Sequence, residues 1–435
     1  MNTTPRCEDY AVILNANCEV LLIDGDLPAV ASTDRHPWQT CEPVNRALKR
    51  TYGINVTTVR CLKTENDFKN VYLMESLDNK LPPGGAWVEL GKLPRLNSPA
   101  TKKDVQGWRK WFCSDHPHRR DWYRPGFFRM TTLTLPARLP DIHIRRLEQV
   151  RSWERSSIIR VLTDGGADLY LKSVPPVFAH EPALTDWLYR QHPNWFPFVR
   201  DYRPGKDLIM AAYSGKTLQQ MPDLTLWQHA LSQYAALQIE FTNRTDELKA
   251  LGVPERGLDW IAAHIDPLLD DDALLRCGTY PLSEAQIEVL RGLRPRLHVA
   301  CEKLATFNIP LSLEHGDLWT GQIIGRPEGG FLFTDWSDSA ITCPLFSLPY
   351  FLAEVDNELP GVPDAREQLA QAYLQPWTAF EPMPRLLEAY ESVKLLSPFY
   401  TTLQYAFDIL PRMETRWEME NMLAYNLRLL LRENP

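Results

Sequence analysis

Ser312-Leu-Glu-His-Gly-Asp-Leu-Trp-Thr-Gly-Gln-Ile-Ile324, followed by Phe331-Leu-Phe-Thr-Asp-Trp-Ser-Asp338, decides the reading of this chain. Asp317 lies in a glycine-containing loop, Gln322 follows five residues later, and Asp335 closes the apolar run Phe331-Leu-Phe333. Arg326-Pro-Glu-Gly-Gly330 supplies a hairpin turn between the two halves. Phosphoryl transfer needs one carboxylate to accept or orient a hydroxyl proton, and a metal to neutralise phosphate charge. Asp317 suits the first role and Asp335 the second, with Gln322 helping to hold the metal. His315 reads as a residue that orders the loop, and Asp338 as a cap on the next loop. His-Gly-Asp alone is common; the ordered strand, loop, turn and Asp-Trp give it weight.

Upstream, Ser157-Ile-Ile-Arg-Val-Leu162, the turn Thr163-Asp-Gly-Gly166 and Asp168-Leu-Tyr-Leu-Lys172 predict a β-hairpin. Glu181 to Tyr189 has a helical pattern, and Leu208 to Ala212 is a short apolar strand. Beyond Leu224 the pattern is almost wholly helical, apart from the patch between Leu311 and Trp336. Strands with one helix, then a large helical part carrying a small sheet, is a two-lobe layout.

The segment resembles the aminoglycoside phosphotransferase-like kinase family, whose pattern is H-G-D-x-x-x-x-N followed by a strand ending in D-W. His315, Gly316, Asp317, Gly321, Asp335 and Trp336 match it, whereas Gln322 stands where the family has Asn. The resemblance covers roughly residues 143 to 435. It implies a two-lobed protein-kinase-like fold, small β-rich lobe first, and the use of ATP with Mg2+. It also makes Lys172 the lysine that grips the α- and β-phosphates, Glu181 its ion-pair partner, and Met210-Ala-Ala-Tyr213 the hinge, with Met210 and Ala212 offering backbone groups to adenine. The family's glycine-rich turn has no obvious counterpart; Gln149 to Ser157 occupies its place, with Ser152, Ser156 and Ser157 as small residues whose hydroxyls and backbone amides would cap phosphates.

The first hundred residues read differently. Ala11-Val-Ile-Leu14 and Glu19-Val-Leu-Leu-Ile23 flank a polar turn, Arg46 to Tyr52 is helix-compatible before Gly53, and Val56 to Cys61 and Asn70 to Met74 read as strands. In order this resembles the Nudix fold, whose helix carries R-E-U-x-E-E-x-G-U. Arg46, Leu48, Gly53 and Ile54 match, but Ala47, Arg50 and Thr51 replace the glutamates, so the resemblance implies no magnesium site and no pyrophosphohydrolase chemistry there. The fold class expected is therefore α+β: a kinase-like pair of lobes behind a separate Nudix-like domain. The boundaries are 1–100 for that domain, 101–141 for a connector, 142–213 for the small lobe with hinge, and 214–435 for the helical lobe.

Between Lys102 and Arg129 basic and aromatic residues alternate, as a single-stranded nucleic-acid platform requires. Asp104, Asp115, Asp121 and a chain net charge of −8 favour a connector that packs its tryptophans instead, with no nucleic acid as partner. Cys113, Asp115, His116 and His118 have neither helical nor zinc-ribbon spacing, which speaks against a metal site. Eight scattered cysteines without a C-x-x-C pair, a polar Met1–Asp9 and no apolar stretch of membrane length predict reduced thiols, a cytoplasmic location and no membrane partner. Residues 351–420 hold twelve acidic against five basic side chains, which would suit a cationic hydroxyl-bearing acceptor if they lined its site.

The reading that results is a small-molecule kinase moving the γ-phosphoryl of ATP to a hydroxyl. Two rivals stand beside it: a pseudokinase that binds nucleotide as a sensor or interaction protein, motivated by Gln322 and the missing glycine turn, and a metal-dependent phosphoesterase built on Asp317 and Asp335.

Overall fold

The computed structural model describes residues 7–32, 36–65, 69–213, 215–353 and 355–433; the polar stretch before Cys7 lies outside them. The chain forms two compact units, one of residues 1–175 with 207–212, the other of 176–206 with 213–435. No helix among the described residues is long and apolar enough to cross a membrane.

In the first unit the expected hairpin forms from β1 (Cys7–Leu14) and β2 (Val20–Ile23), with Leu14 opposite Val20. β3 (Ala29–Ser32) flanks β1. Helix α1 runs Glu42–Tyr52, four residues earlier than the sequence pattern placed its start, because Glu42 and a first-turn proline open it. It stops at Gly53, whose φ of 69° is the left-handed cap that glycine adopts without strain. β4 (Val56–Glu65), β5 (Lys69–Ser76) and β6 (Gly85–Val88) complete a mixed sheet ordered β4-β5-β1-β2-β6, in which β1 and β5 are parallel.

The connector packs on that sheet. Helix α2 (Lys102–Cys113) starts at a Thr101–Asp104 capping box and buries Val105 and Phe112 beside Val12, Leu14, Val20 and Leu22. Trp108 and Trp111 pack on the same cluster, and Trp122 is buried in it with its indole N–H donating to the Trp153 carbonyl at 2.9 Å. The arginines have internal partners: Arg119 lies 3.9 Å from the Trp111 ring, and Arg120 forms a fully buried ion pair with Glu154 at 2.8 Å. Part of the alternation of basic and aromatic residues therefore builds a core with cation–π contacts. Helix α3 (Phe127–Arg138) comes next.

β7 (Ile144–Trp153), β8 (Ser156–Thr163) and β9 (Leu169–Ser173) continue the same unit. The predicted hairpin is β8–β9, with Ile158 opposite Lys172. β7 also meets the N-terminal sheet: Gln149 accepts from the Thr58 amide at 2.7 Å and donates to the Thr58 carbonyl at 2.6 Å, and the Ser152 hydroxyl donates to the Val59 carbonyl at 2.6 Å. A buried amide side chain thus supplies the pairing a strand would, leaving no backbone group of Thr58 unsatisfied.

The second unit opens with α4 (Glu181–Gln191) and β10 (Val199–Arg203). β11 (Asp207–Ala211), the predicted apolar strand, returns to the first unit and pairs antiparallel with β9, Leu208 opposite Lys172. The remainder is helical as expected. After β12 (Lys216–Thr217) come α5 (Leu224–Phe241), α6 (Thr245–Ala250), α7 (Leu258–Leu269), α8 (Asp272–Leu275), α9 (Glu284–Gly292) and α10 (Arg294–Leu304). Then β13 (Ser312–Glu314) pairs with β16 (Ala340–Thr342), and β14 (Ile323–Gly325) pairs with β15 (Phe331–Phe333), across the turn read from Arg326 to Gly330. Helices α11 (Ser347–Leu352), α12 (Val355–Glu358), α13 (Ala365–Leu374), α14 (Met383–Leu403) and α15 (Asn421–Glu433) close the chain.

Candidate active site

Two short antiparallel pairs hold the loops that carry the candidate residues. Asp317 lies three residues beyond the end of β13, Gln322 just before β14, and Asp335 two residues beyond β15. Thr334 ties the last two together: its amide and hydroxyl both donate to the Gln322 carbonyl, at 3.0 Å each. The Gln322 side chain consequently meets Asp335, with the amide nitrogen 3.5 Å from Oδ2, while its amide oxygen accepts from the Thr334 hydroxyl at 3.3 Å. Asp335 has φ 66°, a left-handed conformation that aspartate tolerates better than most residues and that recurs where backbone is held for function. The Ser337 hydroxyl lies 2.9 Å from Asp335 Oδ1 and 3.2 Å from Asp338 Oδ2, and its single proton serves one carboxylate at a time.

His315 is fully buried and orders the loop. Its Nε2 donates to the Thr334 carbonyl at 2.9 Å, which leaves Nδ1 free of a proton to accept the Asp317 amide at 3.3 Å. The ring also packs 4.6 Å from that of the buried Trp336. Gly316, at φ 78°, allows the close approach: a Cβ there would meet the Asp338 carbonyl oxygen at 2.4 Å.

Several residues of the site gave no sequence signal. Tyr350, carried by α11, hydrogen-bonds the Asp317 side chain; burial, and then that neighbouring carboxylate, push its hydroxyl well above the usual tyrosine range. Glu314 sits fully buried at the end of β13 and accepts from the Gln238 amide at 2.9 Å, from the Gly316 amide at 3.3 Å and from the Ser347 hydroxyl. Burial pushes its carboxyl up to about 8, against the pull of those donors. Tyr234 accepts from the His315 amide at 3.0 Å, and Tyr373 donates to Gln238 Oε1 at 2.5 Å. The loop backbone is therefore pinned at three consecutive residues, His315, Gly316 and Asp317, from inside the helical unit. Glu314 belongs to the same Ser312–Ile324 stretch as Asp317, but its neighbours come from α5, α11 and α13, which local sequence does not reveal.

Lys172 is buried in β9 of the first unit, and Glu181 is buried at the first position of α4 in the second. Ser156 and Ser157 lie inside the β7–β8 hairpin, opposite Trp153 and Ser152, and are buried; the Ser156 hydroxyl accepts from the Trp153 indole at 2.9 Å. Met210 lies in β11 opposite Tyr170. The Ala212 amide donates to the Asp168 carbonyl at 2.8 Å, so Ala212 keeps only its carbonyl for another partner. Among the described residues no three His, Cys, Asp or Glu side chains are grouped to hold a metal. With its amide turned, the Gln322 oxygen would join Asp335 as an all-oxygen donor pair; one or two carboxylates completed by phosphate oxygens is how proteins usually take Mg2+. Those residues fit the ion.

No family model matches the chain, and no curated protein matches it by sequence. Solved structures do. An ethanolamine kinase from Plasmodium vivax is 13% identical and superposes with a TM-score of 0.50 over 77% of this chain and 95% of its own. A macrolide 2′-phosphotransferase from Brachybacterium faecium (16% identical, TM-score 0.46, 70% and 97% covered) and a choline kinase from Streptococcus pneumoniae (12%, 0.48, 70% and 99%) are also similar. The structures this chain resembles are small-molecule kinases and phosphotransferases, and the ethanolamine kinase match shows that it shares their protein-kinase-like fold.

Proposed function

We propose that this chain is a small-molecule kinase that transfers the γ-phosphoryl group of ATP to a hydroxyl of its acceptor. The observation that carries the reading is the meeting of Gln322 and Asp335 beside a loop that fixes Asp317 through His315. Asp317 would accept the acceptor's hydroxyl proton as the oxygen bonds to the γ-phosphorus and ADP leaves. Tyr350 would hold the Asp317 carboxylate at the angle this demands. Asp335 and Gln322 would hold Mg2+, which when bound neutralises phosphate charge. To serve it, the Gln322 amide must turn its oxygen, not its nitrogen, toward Asp335. Lys172 would grip the α- and β-phosphates and Glu181 would orient Lys172. Met210 and the Ala212 carbonyl would face adenine. Ser156 and Ser157 would cap the phosphates from the β7–β8 hairpin.

Acceptor entry fits a cavity of about 700 Å³ in the second unit, walled in part by Tyr350. Among the described residues its charged lining is Arg366, Lys394 and Arg432 with Glu367 and Glu391. The acceptor class this reading carries is a hydroxyl-bearing small molecule, cationic if the acidic excess of residues 351–420 lines its site. The four-part division at residues 100, 141 and 213, the Nudix-like character of the first part and a cytoplasmic location belong to the same proposal.

The test is ADP release from Mg-ATP across a panel of amino alcohols, sugars, hydroxy acids and aminoglycosides. Release that needs one acceptor class and is lost in Asp317→Asn supports the reading. Acceptor-independent phosphate release from simple esters would point to the phosphoesterase, although the described residues lack the ligand cluster such a site uses. The pseudokinase is the other rival, motivated by Gln322 in place of the family's Asn. Nucleotide binding without release for any acceptor would establish that reading instead.

A further inference from the structure

Far along the chain from the Asp317 and Asp335 loops, the first unit brings two thiols together. The sulfurs of Cys18 and Cys113, 95 residues apart in sequence, lie 3.1 Å from each other. Both are reachable, Cys113 exposed and Cys18 half-buried, whereas Cys41, Cys61, Cys301 and Cys343 are buried. A disulfide requires a separation of about 2.05 Å, so closing the bond asks for a movement of roughly 1 Å.

The frame around them is firm. Cys18 sits in the β1–β2 turn with φ 58°, and Asn15 organises that turn by accepting from the Asn17 and Glu19 amides at 2.9 Å each. Cys113 is the last residue of α2, which is anchored through Val105 and Phe112 to the same apolar cluster as Leu14 and Val20 on either side of the turn. The juxtaposition therefore belongs to the folded unit, not to two loose ends.

We propose that Cys18 and Cys113 form a site of reversible modification, oxidised by hydrogen peroxide to an intramolecular disulfide that staples the β1–β2 turn to the end of α2. One thiolate attacks a peroxide oxygen, giving a sulfenic acid and releasing hydroxide. The second sulfur attacks that sulfenic sulfur, forming the S–S bond and releasing a second hydroxide. With the two thiol protons the balance is two thiols plus peroxide giving one disulfide and two waters, the two sulfurs supplying the two electrons. A dithiol reductant reverses it. Burial, and then the adjoining Cys18, push the Cys113 thiol up while Arg109 pulls it back, so the thiolate share is small at neutral pH and oxidation quickens as pH rises.

The experiment treats the full native chain with hydrogen peroxide, quenches with catalase, alkylates, and maps peptides without reduction. A peptide pair joining Cys18 to Cys113 is expected, two hydrogens lighter than its parts and removed by dithiothreitol. The long loop it closes should raise the melting temperature by about a few degrees. Cys18→Ser and Cys113→Ser should each abolish the link and leave the melting temperature of the reduced protein in place. Peroxide that leaves both thiols open to alkylation, drives Cys113 to sulfinic acid with Cys18 still free, or joins either to another cysteine overturns the proposal. The wild-type map decides this without relying on either variant folding.

Discussion

Gln322 places its side-chain nitrogen 3.5 Å from the Asp335 carboxylate, a separation at the outer edge of hydrogen bonding. Both are held there by Thr334, which binds the Gln322 backbone twice. A glutamine in this position keeps the amide oxygen that a metal needs but adds one methylene of reach. Shortening it tests whether that reach matters. Gln322→Asn is expected to keep the fold and to change the Mg2+ concentration for half-maximal ADP release by about threefold or more. An unchanged Mg2+ dependence would remove Gln322 from the metal site.

His315 joins the two halves of the site through both ring nitrogens. Misplacing a reacting group by about 1 Å can cost on the order of 100-fold in rate. His315→Ala should therefore lower kcat by about 10- to 100-fold while nucleotide affinity stays within about threefold. A pH–rate profile that keeps its wild-type shape in the variant confirms that the imidazole positions Asp317 and carries no proton in the reaction.

Glu314 makes stability depend on pH. Its folded carboxyl titrates at about 8, well above the roughly 4.3 of an unfolded glutamate. Between those values the folded chain keeps a proton that the unfolded chain releases, so this group's contribution falls as pH rises, by up to about 1.4 kcal/mol per unit. Melting temperatures measured from pH 5 to 8 should decline more steeply in wild type than in Glu314→Gln, and equal slopes would exclude the assignment.

Gly316 cannot carry a side chain without moving the site. Its φ of 78° and the 2.4 Å approach to the Asp338 carbonyl both oppose a Cβ. Gly316→Ala should cost about 1–3 kcal/mol of stability and a larger share of activity, read by denaturant unfolding alongside ADP release.

The buried Arg120–Glu154 pair makes the contrasting prediction. Removing one partner leaves a buried charge without this counter-ion. Glu154→Gln should lower stability by about 3 kcal/mol and leave kcat near the wild-type value, because the pair lies in the first unit and Asp317 and Asp335 in the second.

The parts of this architecture that were legible in the sequence are those fixed by short-range chemistry. The β8–β9 hairpin follows from alternation around Asp164-Gly-Gly166, the turn at Arg326 to Gly330 from its paired glycines, and the α1 stop from Gly53. His315 as a loop-ordering residue was readable because a His-Gly-Asp loop needs its backbone amides satisfied. What escaped depends on distant partners. Tyr350 lies 33 residues beyond Asp317 and reaches it only because α11 packs where it does. Within Gln149 to Ser157, the Gln149 and Ser152 side chains bond Thr58 and Val59, about 90 residues away, which local sequence does not reveal.

The most direct measurement is a thermal-shift titration with Mg-ATP on wild type, Asp335→Ala and Asp317→Asn. A ligand that binds only the folded state raises the melting temperature by mass action. The account predicts a rise in wild type, a similar rise in Asp317→Asn, whose loss should fall on transfer alone, and none in Asp335→Ala. No rise in well-folded wild type, or an equal rise in Asp335→Ala, would contradict the nucleotide site on which the kinase reading stands.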